Sequence, residues 1–153
     1  MLLAHDKSPE VRQAVARNIS TPRALLESLA RDTEIAVRVQ VALHKHVPVA
    51  VLEAFAHDLE GEVRQVTARN PNLPQALLER LALDKDKHVR RSAATNPNLP
   101  RSLLELLATD ETHDVRWVVA RNLSASRSLL EMLAQDKHQK VRDAAEERLR
   151  QHR

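Results

Sequence analysis

Apolar residues along this chain fall into short clusters separated by polar connections, and the clusters repeat. Leu-Leu-Glu stands at 25–27, 77–79, 103–105 and 129–131, with Val51-Leu52-Glu53 as a fifth copy. Between them lies a more polar cluster built on Val-Arg, at 11–12, 37–38, 63–64, 89–90, 115–116 and 141–142, each copy 26 residues after the last. A fixed period of this length, without insertion or deletion, marks a stacked array. Residues 71–96 show what one unit predicts. Leu77, Leu78 and Leu81 share a face of a first helix whose opening turn tolerates Pro74. After Asp84 a polar connection leads to a second helix around Val89, which ends near Asn96 because Pro97 disfavours helix in the residue before it. Helices this short cannot each close a core, so neighbouring pairs must stack.

The faces of the second helix follow from a turn of about 100° per residue. With Val11 facing the core, Ala14, Val15 and Asn18 fall on the same side, while Glu10, Gln13 and Arg17 point away. Down the array this outward stripe becomes Ala36, Val39, Leu43; Glu62, Gln65, Arg69; His88, Arg91, Thr95; Asp114, Trp117, Arg121; and Lys140, Asp143, Glu147. Two sets stand out. The second unit is wholly apolar, and the fifth holds the chain's one tryptophan beside an arginine. The first helices carry their own exposed row, Glu27, Glu53, Glu79, Glu105 and Glu131. The pattern predicts an all-α solenoid of about six repeats forming one domain over 1–153. Residues 1–18 form a partial first repeat; 19–44, 45–70, 71–96 and 97–122 are full repeats; 123–153 hold the last repeat and a C-terminal cap. At that cap Glu146 replaces the Ala of positions 16, 42, 68, 94 and 120, and EERLRQHR follows. At the other end Met1-Leu2-Leu3-Ala4 covers only the end of a first helix, so the N-terminal face is expected to expose apolar surface.

The frame Leu-Leu-Glu, Leu-Ala, Asp, Val-Arg, Ala-Arg-Asn-Pro, clearest in residues 63–108, resembles the leucine-rich repeat variant family. Asn18-Ile19-Ser20-Thr21-Pro22 matches that family's link between units. The resemblance implies a right-handed superhelix of helix pairs and leaves one helix of each pair open between 3₁₀ and α. Some members of the family carry a Cys-rich iron–sulphur segment; this chain has no Cys and cannot inherit that cofactor. An Asp six residues before each Arg also resembles the pair in HEAT repeats, where the side chains form a ladder between layers. Here the ladder would comprise Asp6 with Arg12, Asp32 with Arg38, Asp58 with Arg64, Asp84 with Arg90, Asp110 with Arg116 and Asp136 with Arg142. Placed between layers, each Arg can offer its fork to aspartates and to helix-end carbonyls.

Composition narrows the chemistry. One Gly, one Phe and no Tyr, with 42% apolar residues, suit helices rather than sheets. No apolar run approaches the roughly 20 residues that span a bilayer, and MLLAHDKSPE lacks a signal peptide's features, so a soluble cytoplasmic protein is expected. The chain has no Gly-rich phosphate loop, nucleophile elbow or Cys nucleophile, and its eight His show no ligand spacing for a metal. The expectation is a non-enzymatic scaffold without cofactor, binding a protein or peptide along the second helices. Trp117 would be the anchor, with Arg121, Arg91, Arg69, Gln65, Val39, Leu43 and Arg17 around it. Duplex nucleic acid is the alternative, since 24 Lys and Arg against 21 Asp and Glu permit such a partner without demanding it. A third reading is a structural fragment or module of a larger protein that self-associates through the N-terminal end or through Ala36, Val39 and Leu43.

Overall fold

The computed structural model describes residues 2–151, and everything ordered in them is helical. A 3₁₀ turn at Leu2–His5 precedes α1 (Pro9–Arg17), α2 (Arg23–Leu29), α3 (Ile35–Leu43), α4 (Val49–Phe55) and α5 (Gly61–Ala68). Then come α6 (Gln75–Ala82), α7 (Lys87–Thr95), α8 (Arg101–Leu107), α9 (His113–Arg121), α10 (Arg127–Leu133) and α11 (Gln139–Gln151). The even-numbered helices are the first of each pair and the odd-numbered ones the second. The open choice between 3₁₀ and α is thereby resolved: among the described residues the tighter form is confined to Leu2–His5, and both helices of every later pair are α.

Pro22, Pro48, Pro74 and Pro100 occupy the N-cap of α2, α4, α6 and α8, one residue ahead of the first turn expected for Pro74. Proline is at home there: its extended backbone turns the chain, and its carbonyl accepts the first helical N–H, as Pro74 does from Leu77 and Leu78. In α10 the position is Ser126, whose Oγ caps Leu129 N–H instead. Helices of seven or eight residues are marginal alone, so packing must hold them. The second Leu of each Leu-Leu pair, at 26, 78, 104 and 130, is fully buried, as is Leu52 in the Val-Leu copy. Ala16, Ala42, Ala68, Ala94 and Ala120 are buried where successive second helices approach, and the second helices pack side by side along the whole array. Glu146, in the alanine slot of the last layer, is exposed, as a cap requires. At the opposite end Leu3, Ala14 and Ile19 are exposed and Val15 is only half-buried, whereas the counterparts of Val15 are buried. Met1, the side chain of Leu2, and the cap residues His152 and Arg153 lie outside the described residues.

Two polar ladders lock the layers. Arg12, Arg38, Arg64, Arg90 and Arg116 each place Nε at 2.6–2.8 Å and Nη2 at 2.9–3.1 Å on the two oxygens of one carboxylate. That carboxylate belongs to the next layer: Asp32, Asp58, Asp84, Asp110 and Asp136 in turn. The Asp six residues earlier contributes its backbone carbonyl, which accepts from Nη1, as Asp110 does from Arg116 at 2.7 Å. Each carboxylate has a second task, accepting the N–H two residues on at the start of its own second helix, as Asp32 does from Glu34. The Arg12 fork holds the Asp32 carboxyl below its ordinary 3.8, and the Arg116 fork does the same for Asp136. At Asp84 and Asp110 burial is the largest influence and pushes upward, yet the Arg fork, the backbone N–H and the guanidinium charge together outweigh it. The second ladder runs through the residue ending each second helix. Asn70, Asn96 and Asn122 donate Nδ2 to the carbonyls of Ala42, Ala68 and Ala94 one layer back. Their Oδ1 atoms accept the N–H two residues on.

Candidate partner-binding site

The outward stripe does not all point outward. Its first slot (Glu10, Ala36, Glu62, His88, Asp114, Lys140) and third slot (Arg17, Leu43, Arg69, Thr95, Arg121, Glu147) are exposed throughout. The middle slot behaves differently: Gln13, Gln65, Arg91 and Trp117 are half-buried, Asp143 is exposed, and Val39 is 8% exposed. Val39 therefore belongs to the core rather than to the exposed surface expected for it. Side-by-side packing of the second helices crowds this slot, and a short branched side chain is almost wholly covered. The apolar set of the second unit shrinks to Ala36 and to Leu43, which is 59% exposed.

The third slot reveals why α9 is unlike the other helices. Arg17 reaches across to Gln40 Oε1 at 3.5 Å and Arg69 to Ser92 Oγ at 3.1 Å, both 23 residues further along the chain. The residue 23 after Arg121 is Ala144, which offers no acceptor. Arg121 instead lies over the indole of Trp117, its Cζ 5.1 Å from the ring centroid. Guanidinium over indole is a favourable cation–π contact, and Arg121 also sits in the last turn of α9, at the helix's negative end.

Beside this pair, between the C-terminal ends of α7 and α9, is a pocket of about 330 Å³. Ala94, Pro97, Val118, Leu123 and the Trp117 ring give it apolar walls, and Arg91 and Arg121 supply its charges. Leu123, at its edge, is 80% exposed. Arg91 has no ion-pair or hydrogen-bond partner among the described residues. Of the residues expected to meet a partner, Trp117, Arg121 and Arg91 come together here, while Gln65, Arg69, Leu43 and Arg17 lie on earlier second helices. Sequence reasoning missed Ala94, Pro97 and Leu123 as walls, since they lie off the stripe. It also missed the Asn ladder, although the recurrence of Asn at 18, 70, 96 and 122 was in view.

Elsewhere the surface is more occupied. A larger groove of about 510 Å³ includes Arg64 and Asp84, already paired with each other, together with Arg80 and Lys85. On the first helices Glu27 pairs with Arg23 and Glu131 with Arg127 at 2.9 Å, and Glu79 accepts from Gln75. His113 and His138 stack with centroids 3.8 Å apart. Among the described residues no group of three or more His, Asp or Glu could hold a metal, and no helix is long and apolar enough to cross a membrane.

No curated protein matches the sequence. A solved structure described as a leucine-rich repeat variant with a novel repetitive structural motif is 31% identical over 96% of this chain, with a TM-score of 0.75. The chain spans 58% of that structure's length. An engineered protein aligns over 97% of this chain and 93% of its own at 18% identity and a TM-score of 0.58, a likeness of fold alone. The leucine rich repeat variant model matches four consecutive stretches, 9–34, 35–60, 61–86 and 88–111, and the chain accordingly belongs to the leucine-rich repeat variant family.

Proposed function

We propose that this protein is a non-enzymatic scaffold that binds a protein or peptide along its second-helix side, with the pocket beside Trp117 as the anchoring point. The observation that carries the reading is the pairing of an apolar cavity with two guanidiniums that no carboxylate engages. Aromatic and arginine side chains at a partly enclosed pocket are the usual anchors of protein interfaces. Among the second-helix arginines, Arg12, Arg38, Arg64, Arg90 and Arg116 are committed to carboxylates, Arg142 to the Asp136 carbonyl and the Gln139 amide, and Arg17 and Arg69 to neighbouring polar groups, while Arg91 and Arg121 are held ready.

Selection of short random peptides displayed on phage against the purified protein tests this. Binders should compete with one another and lose most of their affinity on Trp117→Ala, while Glu105→Arg on the first-helix side leaves them unaffected. Binders that ignore Trp117→Ala and respond to Glu105→Arg would move the site to the other side of the array. Tight binding of a short DNA duplex at low salt, falling steeply as salt rises, would replace the reading with backbone recognition of nucleic acid.

A further inference from the structure

Building on that reading, we infer that the pocket beside Trp117 recognises an acidic segment: a peptide that inserts one apolar side chain between α7 and α9 and sets flanking carboxylates on Arg91 and Arg121. Size, hydrogen-bonding inventory and charge point the same way. At about 330 Å³ the cavity is at the small end of the roughly 300–1,000 Å³ typical of ligand sites, suiting a side chain rather than a large cofactor. Its walls are apolar, so the inserted group should be too.

The hydrogen-bonding inventory of the rim is lopsided. The Ala94 carbonyl, in the wall, is taken by Asn122 Nδ2 at 2.7 Å, and Asn122 Oδ1 accepts the Ser124 N–H at 2.8 Å. The donors are free: Arg91 has no partner among the described residues, and Arg121 makes only its stacking contact with Trp117. A rim of spare donors and engaged acceptors favours a ligand rich in acceptors, and guanidinium forks match carboxylates in particular. One acidic residue of the stripe, Asp114, lies one turn before Trp117 on α9, where His113 Nε2 stands 3.5 Å from its Oδ1. It does not line the pocket. Stacking on the indole restricts the Arg121 guanidinium in advance, which lowers the ordering cost of binding.

The test sequences the displayed-peptide pool and measures the binders by calorimetry. Enrichment of Asp or Glu next to Leu, Ile, Phe or Met is expected, with affinity falling about tenfold or more for Arg91→Glu and again for Arg121→Glu. Neither arginine is paired with a carboxylate, so Arg91→Glu should melt as the parent does, while Arg121→Glu, which gives up the stacking contact and sets a negative charge at the C-terminal end of α9, should stay folded and melt slightly lower. Arg101→Glu, on the exposed surface of α8, should leave affinity unchanged. Because Trp117 is the sole tryptophan, its emission should shift when the peptide enters. Binders dependent on Trp117 but neutral or basic, or acidic binders indifferent to both charge reversals, overturn the acidic-segment inference and leave the scaffold reading standing. A pool that binds only away from the second helices overturns both.

Discussion

Helices α3 and α9 share one frame and differ in what they show to solvent. Each places an arginine on the ladder, Arg38 or Arg116, and an alanine against its neighbour, Ala42 or Ala120. In the stripe, α3 carries Ala36, Val39 and Leu43 where α9 carries Asp114, Trp117 and Arg121. From residue type alone α3 is the more apolar, yet its middle residue is covered and its exposed apolar residues are separated. On α9 the indole is too large for the same crowded slot and remains half outside, where it becomes one wall of a pocket. The slot's shape, rather than hydrophobicity, decides which residue can serve a partner. Arg121 depends in the same way on its surroundings, because the acceptor that engages Arg17 and Arg69 is an alanine in the following layer.

Acid should have the largest effect, because it attacks both helices through the ladder they share. Asp32, which receives Arg12 and opens α3, and Asp110, which receives Arg90 and opens α9, are both held below 3.8. Asp84 and Asp136 are held below it as well. A carboxyl depressed in the folded state adds stability that is fully present above its unfolded value and is lost as pH falls through the folded one. Through these four groups the thermal midpoint should hold from neutral pH down to about pH 5 and then drop steeply below about pH 4. A midpoint unchanged down to pH 2 would mean that the rungs contribute nothing.

Single rungs should separate the two regions. The Arg116–Asp136 side chains are 5% and 8% exposed, against 14% and 11% for Arg38–Asp58. Removing one partner strands a charge, at a cost that grows as water is excluded. Arg116→Ala should therefore destabilise by about 3 kcal/mol and Arg38→Ala by about 2 kcal/mol, read from urea midpoints. If Arg38→Ala costs more, burial of the rung is not what sets its contribution.

The period, the helix pairs, the inward leucines and the Arg–Asp frame were all legible in the sequence, because each repeats at a fixed spacing and repetition exposes what packing demands. The register of the ladder was less legible. An Asp six residues before an Arg suggested a pair within the unit, whereas the carboxylate engaged is 20 residues after it. The nearer Asp supplies its backbone carbonyl to the same guanidinium, so one residue serves two rungs and spacing cannot tell them apart. His44 is a further case. It stands in an Asn slot, and its ring replaces the amide: Nδ1 accepts from His46 N–H at 3.1 Å, and Nε2 meets the Asn18 carbonyl at 3.0 Å, two residues beyond the alanine carbonyl that the Asn side chains engage. Those bonds fix the tautomer with the proton on Nε2. The pocket was the least legible feature, since Ala94, Pro97 and Leu123 converge on Trp117 only when layers stack.

The smallest effect, and the most direct test of slot shape, comes from exchanging the two middle residues. Val39→Trp must force a large ring into a covered site and should destabilise by about 1–3 kcal/mol through overpacking. Trp117→Val removes a half-buried ring and its contact with Arg121, and should cost only about 1 kcal/mol. Combined, the two substitutions leave one tryptophan, at position 39, so its emission reads that site alone. Beside the α9 slot the indole borders an open pocket; on α3 it would have to displace its neighbours or swing into water. The double variant should therefore melt lower than Trp117→Val alone, by more than the error of the measurement. Equal melting of these two proteins would show that the α3 slot accommodates an indole as readily as the α9 slot. The difference between the surfaces would then rest on residue identity, and α3 would become a second place where an aromatic could anchor a partner.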